Sequence, residues 1–519
     1  MVFKGFLSGN KRQSIYLGAP EAEAETSSQS RVNLMDVYED YHNLMEQLSY
    51  EKFIIIGRKG SGKSAFAEYV YLLAQENPNL FCEFIRKDKV SLEHLVHLGD
   101  EAGYTIKGEQ LFKWLIYTNI IKLFAFNEAA MESKEYELLR QFVKKNSGFI
   151  DIDKNQVNEL VRKHGFEVNV EPLRRFIKSK LSGLFEFKES RAPFYKLLPH
   201  LEEVIVKVLK SRIEKDNTNS YAIFFDDLDI GFNINNQETV DNVVELIRTC
   251  KSINNEIFGK NNIQAKAYVL IRDDFEKFIS SKYADTAKIF SSYSAFIRWY
   301  QDEIYRNGEE SDLNIKKFIN KRIRNALENQ AVVCNEEDPW YCLVDKTNDN
   351  TNKSSFKHLL DHTLYRPRDL LLMFSPLENG TYPLPLGRNE LKSLIEQYSE
   401  NLVKELKNEL SSFYTESEIE QLFVALAEIS KESGFGDDAG LDYERAKEII
   451  QDCIKTDNPS KILDDLFDRS MIGAKEPSGP YKYKCREPIG SAAQYRLRYQ
   501  YKILLQYAIR DYVSGRRYA

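Results

Sequence analysis

The chain is poor in the residues that build metal and redox sites. Its six cysteines, Cys82, Cys250, Cys334, Cys342, Cys453 and Cys485, are scattered with no C-x-x-C pair. That spacing suggests no zinc site, and a reducing, cytoplasmic setting is expected. A long apolar run is also missing. Nothing approaches the roughly 20 residues that span a bilayer, so no membrane partner is expected. The start, Met1-Val2-Phe3-Lys4-Gly5-Phe6, leads into polar residues and not into a signal-peptide core. Positive charge is not in excess: 72 Lys and Arg face 79 Asp and Glu, a net −7. This argues against broad non-specific binding of nucleic acid by the whole chain, while leaving room for a local basic patch. What remains is an ordinary globular composition, 42% hydrophobic and 29% charged, over 519 residues. That length suits about three domains.

One stretch carries most of the chemistry. Phe53-Ile54-Ile55-Ile56 runs into Gly57-Arg58-Lys59-Gly60-Ser61-Gly62-Lys63-Ser64-Ala65, and a helical pattern follows. This is G-x-x-x-x-G-K-S between a strand and a helix, the context a phosphate-binding loop requires. Glycines let successive N–H groups turn inward toward a phosphate, and the helix beginning near Lys63 adds its positive end. Gly57, Gly60, Ser61, Gly62, Lys63, Ser64 and Ala65 are therefore the candidate nucleotide-binding residues. Lys63 is placed to reach the β- and γ-phosphates, and the Ser64 hydroxyl to ligate Mg²⁺.

A second stretch, Tyr221-Ala222-Ile223-Phe224-Phe225-Asp226-Asp227-Leu228-Asp229, reads as a buried strand ending in carboxylates. Ligands of parallel sheets bind at that end. Asp226 is assigned to Mg²⁺ and Asp227 to the base that activates water, with Asp229 in reserve for either role. The plainer reading is a strand followed by an Asp-initiated turn. A further strand, Ala265–Ile271, ends on Arg272, which either touches a γ-phosphate or is a solvated surface residue. Tyr365-Arg366-Pro367-Arg368-Asp369 reads as a helix start, with Pro367 in the first turn. Arg368 can point back at a bound nucleotide.

The expected organisation has four parts. Residues 1–50 form an arm and helix, with Tyr16–Glu25 flexible by composition and a helix over 34–48. Residues 51–300 form an α/β core. The interval between the strands near 81 and 221 is too long for a minimal core and predicts a helical insertion at about 110–215. Its runs fall near 110–130, 134–146, 154–164, 172–184 and 193–214. Trp114 lies on a helix expected to pack on the sheet, a core residue more naturally than a base-stacking platform. Residues 301–400 form a helical lid. Residues 401–519 form a helical domain with a wing, in which Thr415 caps a helix and Tyr481–Arg486 and Gln494–Tyr499 are the alternating segments. From Lys475 onward basic residues outnumber acidic ones, with interleaved tyrosines. A nucleic-acid face and a plain solvated or protein-docking wing both fit.

With these residues in view, the chain resembles bacterial P-loop ATPases of the AAA+/STAND/KAP-like group, and FunZ-like proteins of mobile or defence-associated loci in particular. The resemblance is carried by Tyr16–Glu25, Gly57–Ala65, Phe225-Asp226-Asp227-Leu228-Asp229, Ile271-Arg272 and Tyr365–Leu370. It implies a parallel-sheet ASCE/AAA+-like P-loop core with helical insertion, helical lid and C-terminal winged-helix-like domain. It implies ATP and Mg²⁺ as cofactors, and Lys63, Asp227, Arg272 and Arg368 as the catalytic set. Arg272 would act as the strand-end arginine of STAND ATPases and Arg368 as a sensor-2 arginine of the lid. The arm would lie near the nucleotide. The absence of a guanine-reading N-K-x-D motif favours ATP. Two functions follow: a nucleotide-driven switch working with a protein partner or effector, or a DNA-stimulated ATPase gripping DNA through the basic wing. A homo-oligomer is left open.

Overall fold

The computed structural model describes residues 14–86, 108–150, 167–181, 185–213, 219–227, 237–329, 336–350, 353–434, 439–477, 479, 481–488 and 495–515. The chain divides into two compact units. One comprises His42–Arg58 and Phe66–Ile297, the other Met1–Tyr41, Lys59–Ala65 and Arg298–Ala519.

The first unit is built on a parallel sheet. Its strands are β1 (Ile54–Gly57) and β2 (Leu80–Arg86), then, beyond a small hairpin of β3 (Glu167–Asn169) and β4 (Arg191–Pro193), β5 (Ser220–Asp226), β6 (Ala265–Arg272) and β7 (Ser294–Ile297). The order across the sheet is β2-β5-β6-β1-β7, with every pairing parallel. A parallel sheet is covered on both faces, which is why these strands are unbroken apolar runs. Ile54, Ile55, Ile56, Ile223, Phe224 and Phe225 are all fully buried. The helix Gly108–Ala125 is apolar nearly all round, and Phe112 meets Phe225 edge-on at 6.3 Å. Trp114 is a core residue, as expected: it is buried and its indole N–H donates to the Phe149 carbonyl at 2.7 Å. The insertion is mainly helical, and the β3–β4 hairpin is an addition the periodicity did not show. The run near 154–164 lies outside the described residues.

The second unit overturns one expectation outright. The Glu-Ala arm is ordered from Ser14 and forms a 3₁₀ turn at Ala22–Glu25. Its anchor is Glu25, 1% exposed, whose carboxylate takes Arg322 in a two-pronged pair at 2.7 and 2.8 Å. Arg322 also donates to the Leu17 carbonyl, and the Ala19 N–H donates to Glu25. Gly18, at φ +124°, leaves room for this: a Cβ there would collide with the Arg322 guanidinium. Composition missed the arm because the ordering partner lies some 300 residues away. The single helix expected over 34–48 is also two pieces, Leu34–Val37 and Leu44–Ser49, separated by extended Tyr38 and left-handed Asn43.

The lid region holds the helices Asn314–Asn329, Ser355–Asp361, Pro367–Phe374 and Arg388–Leu410. Helix Glu416–Glu432 follows, capped by Thr415 as expected, with Glu418 completing a reciprocal capping box. Then come β8 (Leu441–Asp442), helices Tyr443–Ile454 and Pro459–Asp468, β9 (Ile472–Lys475), β10 (Tyr481–Lys482), β11 (Lys502–Leu505) and a closing helix, Tyr507–Gly515. The strands form an antiparallel sheet in the order β10-β9-β11-β8. Helices followed by a β-hairpin are expected here; the described residues instead carry a helical domain with a four-stranded sheet. The strand positions differ from expectation. Only Tyr481–Lys482 of the first segment is a strand, and Lys484–Arg486 is a 3₁₀ turn. The second strand is Lys502–Leu505, whose Ile503 and Leu505 are buried, while Arg496, Arg498 and Tyr499 stay exposed. Gly473 in β9 is required by close approach, since a Cβ there would meet the Tyr483 ring at 2.5 Å. Cys82, Cys250, Cys453 and Cys485 are free thiols, whereas Cys342 is disulfide-bonded, which spacing did not suggest. Among the described residues no helix is long and apolar enough to cross a membrane.

Candidate functional site

The predicted residues divide between the two units. In the sheet unit they gather at the strands' C-terminal edge. Gly57 ends β1 and is the register partner of Arg272, the last residue of β6. Asp226 ends β5 beside Arg86, the last residue of β2. Strand β6 thus lies between the strand that feeds the glycine loop and the strand that ends in carboxylates. Asp226 is buried, and its Oδ1 accepts the Asp227 N–H at 2.9 Å. Asp227 sits at φ +56°, a left-handed conformation that Asp tolerates better than most side chains. Asp229 lies outside the described residues.

Arg272 is buried and not a solvated surface arginine. Its guanidinium is held by Asp274, Nε to Oδ1 at 3.0 Å and Nη2 to Oδ2 at 2.5 Å, over the Phe275 ring at 4.7 Å. Arg86, which sequence reading passed over, pairs with buried Glu68 of the helix Lys63–Glu76.

In the second unit the glycine loop turns as the motif demands. Gly60 and Gly62 have φ of +76° and +98°. Among the described residues nothing lies within 4 Å of where a Gly62 Cβ would stand, so it is the left-handed backbone that calls for glycine there. Ser61 is buried, its carbonyl accepts the Trp299 indole N–H at 2.8 Å, and its Oγ has no hydrogen-bond partner among the described residues. Lys63, Ser64 and Ala65 form the first turn of the helix Lys63–Glu76, where the positive end of the helix dipole favours an anion. Left-handed glycines followed by a helix start fit a polyphosphate. The hard oxygens of Ser64 and, in the sheet unit, of Asp226 are of the kind Mg²⁺ takes.

The lid meets this loop through two arginines. The Arg368 N–H lies 3.5 Å from the Gly60 carbonyl, and a Cβ on Gly60 would sit 2.9 Å from the Arg368 Cβ. Gly60 therefore serves twice, for its φ and for this approach. The Arg368 Nε donates to the Pro20 carbonyl of the arm at 3.2 Å, and its Nη1 lies 3.6 Å from Glu405. Arg366 is the residue that sequence reading missed. It is buried, and its Nη1 donates to the Lys59 carbonyl at 3.0 Å. Asp369 accepts its Nε and Nη2 at 2.9 and 2.7 Å, and Glu405 its Nη2 at 3.2 Å. Burial works against the Arg366 charge, but Asp369 and Glu405 outweigh it and hold its pKa above the ordinary guanidinium value. The other Asp369 oxygen accepts the N–H groups of Leu364 and Arg366, which fixes the start of the helix. Acids spaced i, i+4 along Arg388–Leu410, at Glu405 and Glu409, were the only local hint.

A separate cleft of about 1090 Å³ opens in the second unit, lined by His358, His362, Arg388, Glu400, Asp511 and Tyr512 among others. None of the predicted site residues lines it.

Residues 313–407 match the FunZ-associated C-terminal helical domain. The match covers the lid helices and includes Arg366, Arg368 and Glu405, and it spans well under half of the chain. No curated protein matches. Two solved structures align over most of their length. The Cdc6p of Pyrobaculum aerophilum does so with 11% identity and a TM-score of 0.26, over 92% of each chain. The Aeropyrum pernix ORC2 protein, in ADPNP-ADP complexes, does so with 10% identity and a TM-score of 0.29, over 97% of this chain and 96% of that one. Likeness at that level adds nothing to the fold read from the strands themselves.

Proposed function

We propose that the chain is a Mg²⁺-dependent ATPase that works as a nucleotide-driven switch with a protein partner or effector. The observation that carries this reading is the left-handed glycine loop Gly60–Gly62 backed by Arg366 and Arg368 of the lid. In this reading the loop N–H groups and Lys63 bind the phosphates, and Ser64 and Asp226 hold Mg²⁺. Asp227 takes the proton of the attacking water. Arg272 and Arg368 respond to the terminal phosphate, Arg272 after leaving Asp274. Loss of that phosphate changes what the lid holds, and so the state offered to a partner. The FunZ-associated match over the lid supports placing the chain with FunZ-like proteins, and the resemblance extends this to a bacterial defence or mobile-element setting. The deciding test is equilibrium binding and hydrolysis of ATP by Lys63→Ala. The variant should lose nucleotide binding, because the phosphate charge loses its fixed cation. Unchanged ATP affinity would sink the assignment.

A second reading, a DNA-stimulated ATPase, is favoured by one observation. Arg496, Arg498 and Tyr499 are exposed together before β11, and Tyr499 is 73% exposed. Hydrolysis measured with and without duplex DNA across a salt series separates the readings, since a DNA-driven rise must fall steeply with salt.

A further inference from the structure

The two lid arginines share three carboxylates, and the sharing is unequal. Arg366 lies within 4 Å of Asp369, Glu405 and Glu409, and Arg368 of Glu405 alone among the described residues. Three negative charges thus stand against two positive ones, beside a loop shaped for a polyphosphate. The contacts also differ in quality. Arg366 and Asp369 are close and almost wholly buried, with side-chain exposures of 3% and 0%. Arg368 and Glu405 are 3.6 Å apart and about one-fifth exposed, 19% and 21%. The first pair is costly to break, because each partner would be left charged and buried. The second is long, partly solvated and correspondingly weak.

We infer that Glu405 is a positioning residue that holds Arg368 in the absence of a γ-phosphate and yields it when one arrives. The inference rests on the nucleotide-site reading above. One Glu405 oxygen faces Arg368 and the other faces Arg366. Arg366 stays with Asp369 and the Lys59 carbonyl throughout, so the loop remains attached to the lid. Only the Arg368 guanidinium changes partner, from carboxylate to phosphate. Both partners are acceptors of the kind a guanidinium takes in two-pronged fashion. Glu405 lies in the last third of the helix Arg388–Leu410. A change of its partner is therefore delivered directly to the longest helix of the lid.

The test is equilibrium titration of the full chain with the β,γ-imido analogue of ATP and, separately, with ADP, both with Mg²⁺. The proteins are wild type, Glu405→Gln, Arg368→Ala and the double variant. Glu405→Gln keeps a hydrogen-bonding side chain and removes the competing charge. It should bind the ATP analogue about fivefold tighter or more, while ADP affinity stays within about twofold. In the Arg368→Ala background the gain should vanish, because nothing is left to release. Simple repulsion between Glu405 and the phosphates would instead persist in that background, and that result overturns the inference. So does an equal change for both nucleotides, or weaker analogue binding. Should Glu405→Gln fail to fold, Glu405→Asp, which draws the charge back from Arg368, carries the test by the same criteria. Failure of the nucleotide site itself reads differently: Lys63→Ala would then bind the analogue as wild type does, whatever Glu405 did.

Discussion

The lid beside the glycine loop and the C-terminal wing both hold arginines, and hold them to different ends. In the wing, Arg486 pairs with Asp361 at 2.8 Å and lies over the rings of Tyr365 and Tyr483 at 5.0 and 5.1 Å. Burial works against its charge as it does for Arg366, and neighbouring groups raise its pKa nevertheless. Lys484 pairs with Glu487 at 2.8 Å, and Lys482 pairs with Glu476. Much of the wing's positive charge is thus consumed inside the fold, leaving Arg496 and Arg498 exposed. The lid repeats this division within three residues: Arg366 is consumed and Arg368 is half free. A count of basic residues overstates what a phosphate can meet. The charge a ligand meets is what remains after internal carboxylates have been satisfied.

The comparison breaks first, and hardest, at the consumed arginines. Arg366→Ala leaves Asp369 and Glu409 charged and buried, and should cost about 3–5 kcal/mol of stability, read by denaturant unfolding. Glu25→Ala strands buried Arg322 in the same way and belongs in the same range, with new protease cleavage in the arm as a second readout. A loss below about 1 kcal/mol in either would mean that these pairs do not fasten the second unit.

Arg368→Ala sharpens the contrast from the other side. The partly exposed pair it removes is worth about 1 kcal/mol or less, so unfolding should shift little. ATP hydrolysis should fall by about tenfold or more, because a guanidinium on the terminal phosphate is lost. It should also erase any difference between ATP and ADP in protease sensitivity of the lid. Wild-type digestion patterns identical with ATP, with ADP and without nucleotide would remove the mechanism of the switch.

The smallest effect is expected at the wing tip. Arg498→Ala should leave stability within about 0.5 kcal/mol, as surface substitutions usually do. If the wing meets DNA, the log–log salt slope of binding should drop by about 1. An unchanged slope assigns Arg498 to solvent.

The main strands were legible because parallel strands are apolar on both faces. Phe53–Ile56, Tyr221–Phe225 and Ala265–Ile271 each announced themselves within a few residues. The wing strands did not. β8 and β10 have two residues each, and β9 is held by pairing with β10 and β11 across intervening chain. Short antiparallel strands take their partners from elsewhere in the chain, and local composition does not reveal which.

The same line divides the candidate site. Gly60, Gly62, Lys63 and the Asp226-Asp227 pair were readable by residue, because left-handed backbone and strand-end carboxylates are local demands written in residue type. Which charges stand free and which are spent was decided by tertiary structure alone. Arg366 and Arg368 look interchangeable in the chain, yet one is closed off by Asp369 and by acids some 40 residues downstream, and the other is not. The arm shows it most plainly. Its Glu-Ala composition reads as flexible, yet a buried pair with Arg322, formed over 297 positions of sequence, fastens it together with the bond from Arg368 to the Pro20 carbonyl. Burial and ion pairing depend on what a fold brings close, and sequence spacing carries no record of that.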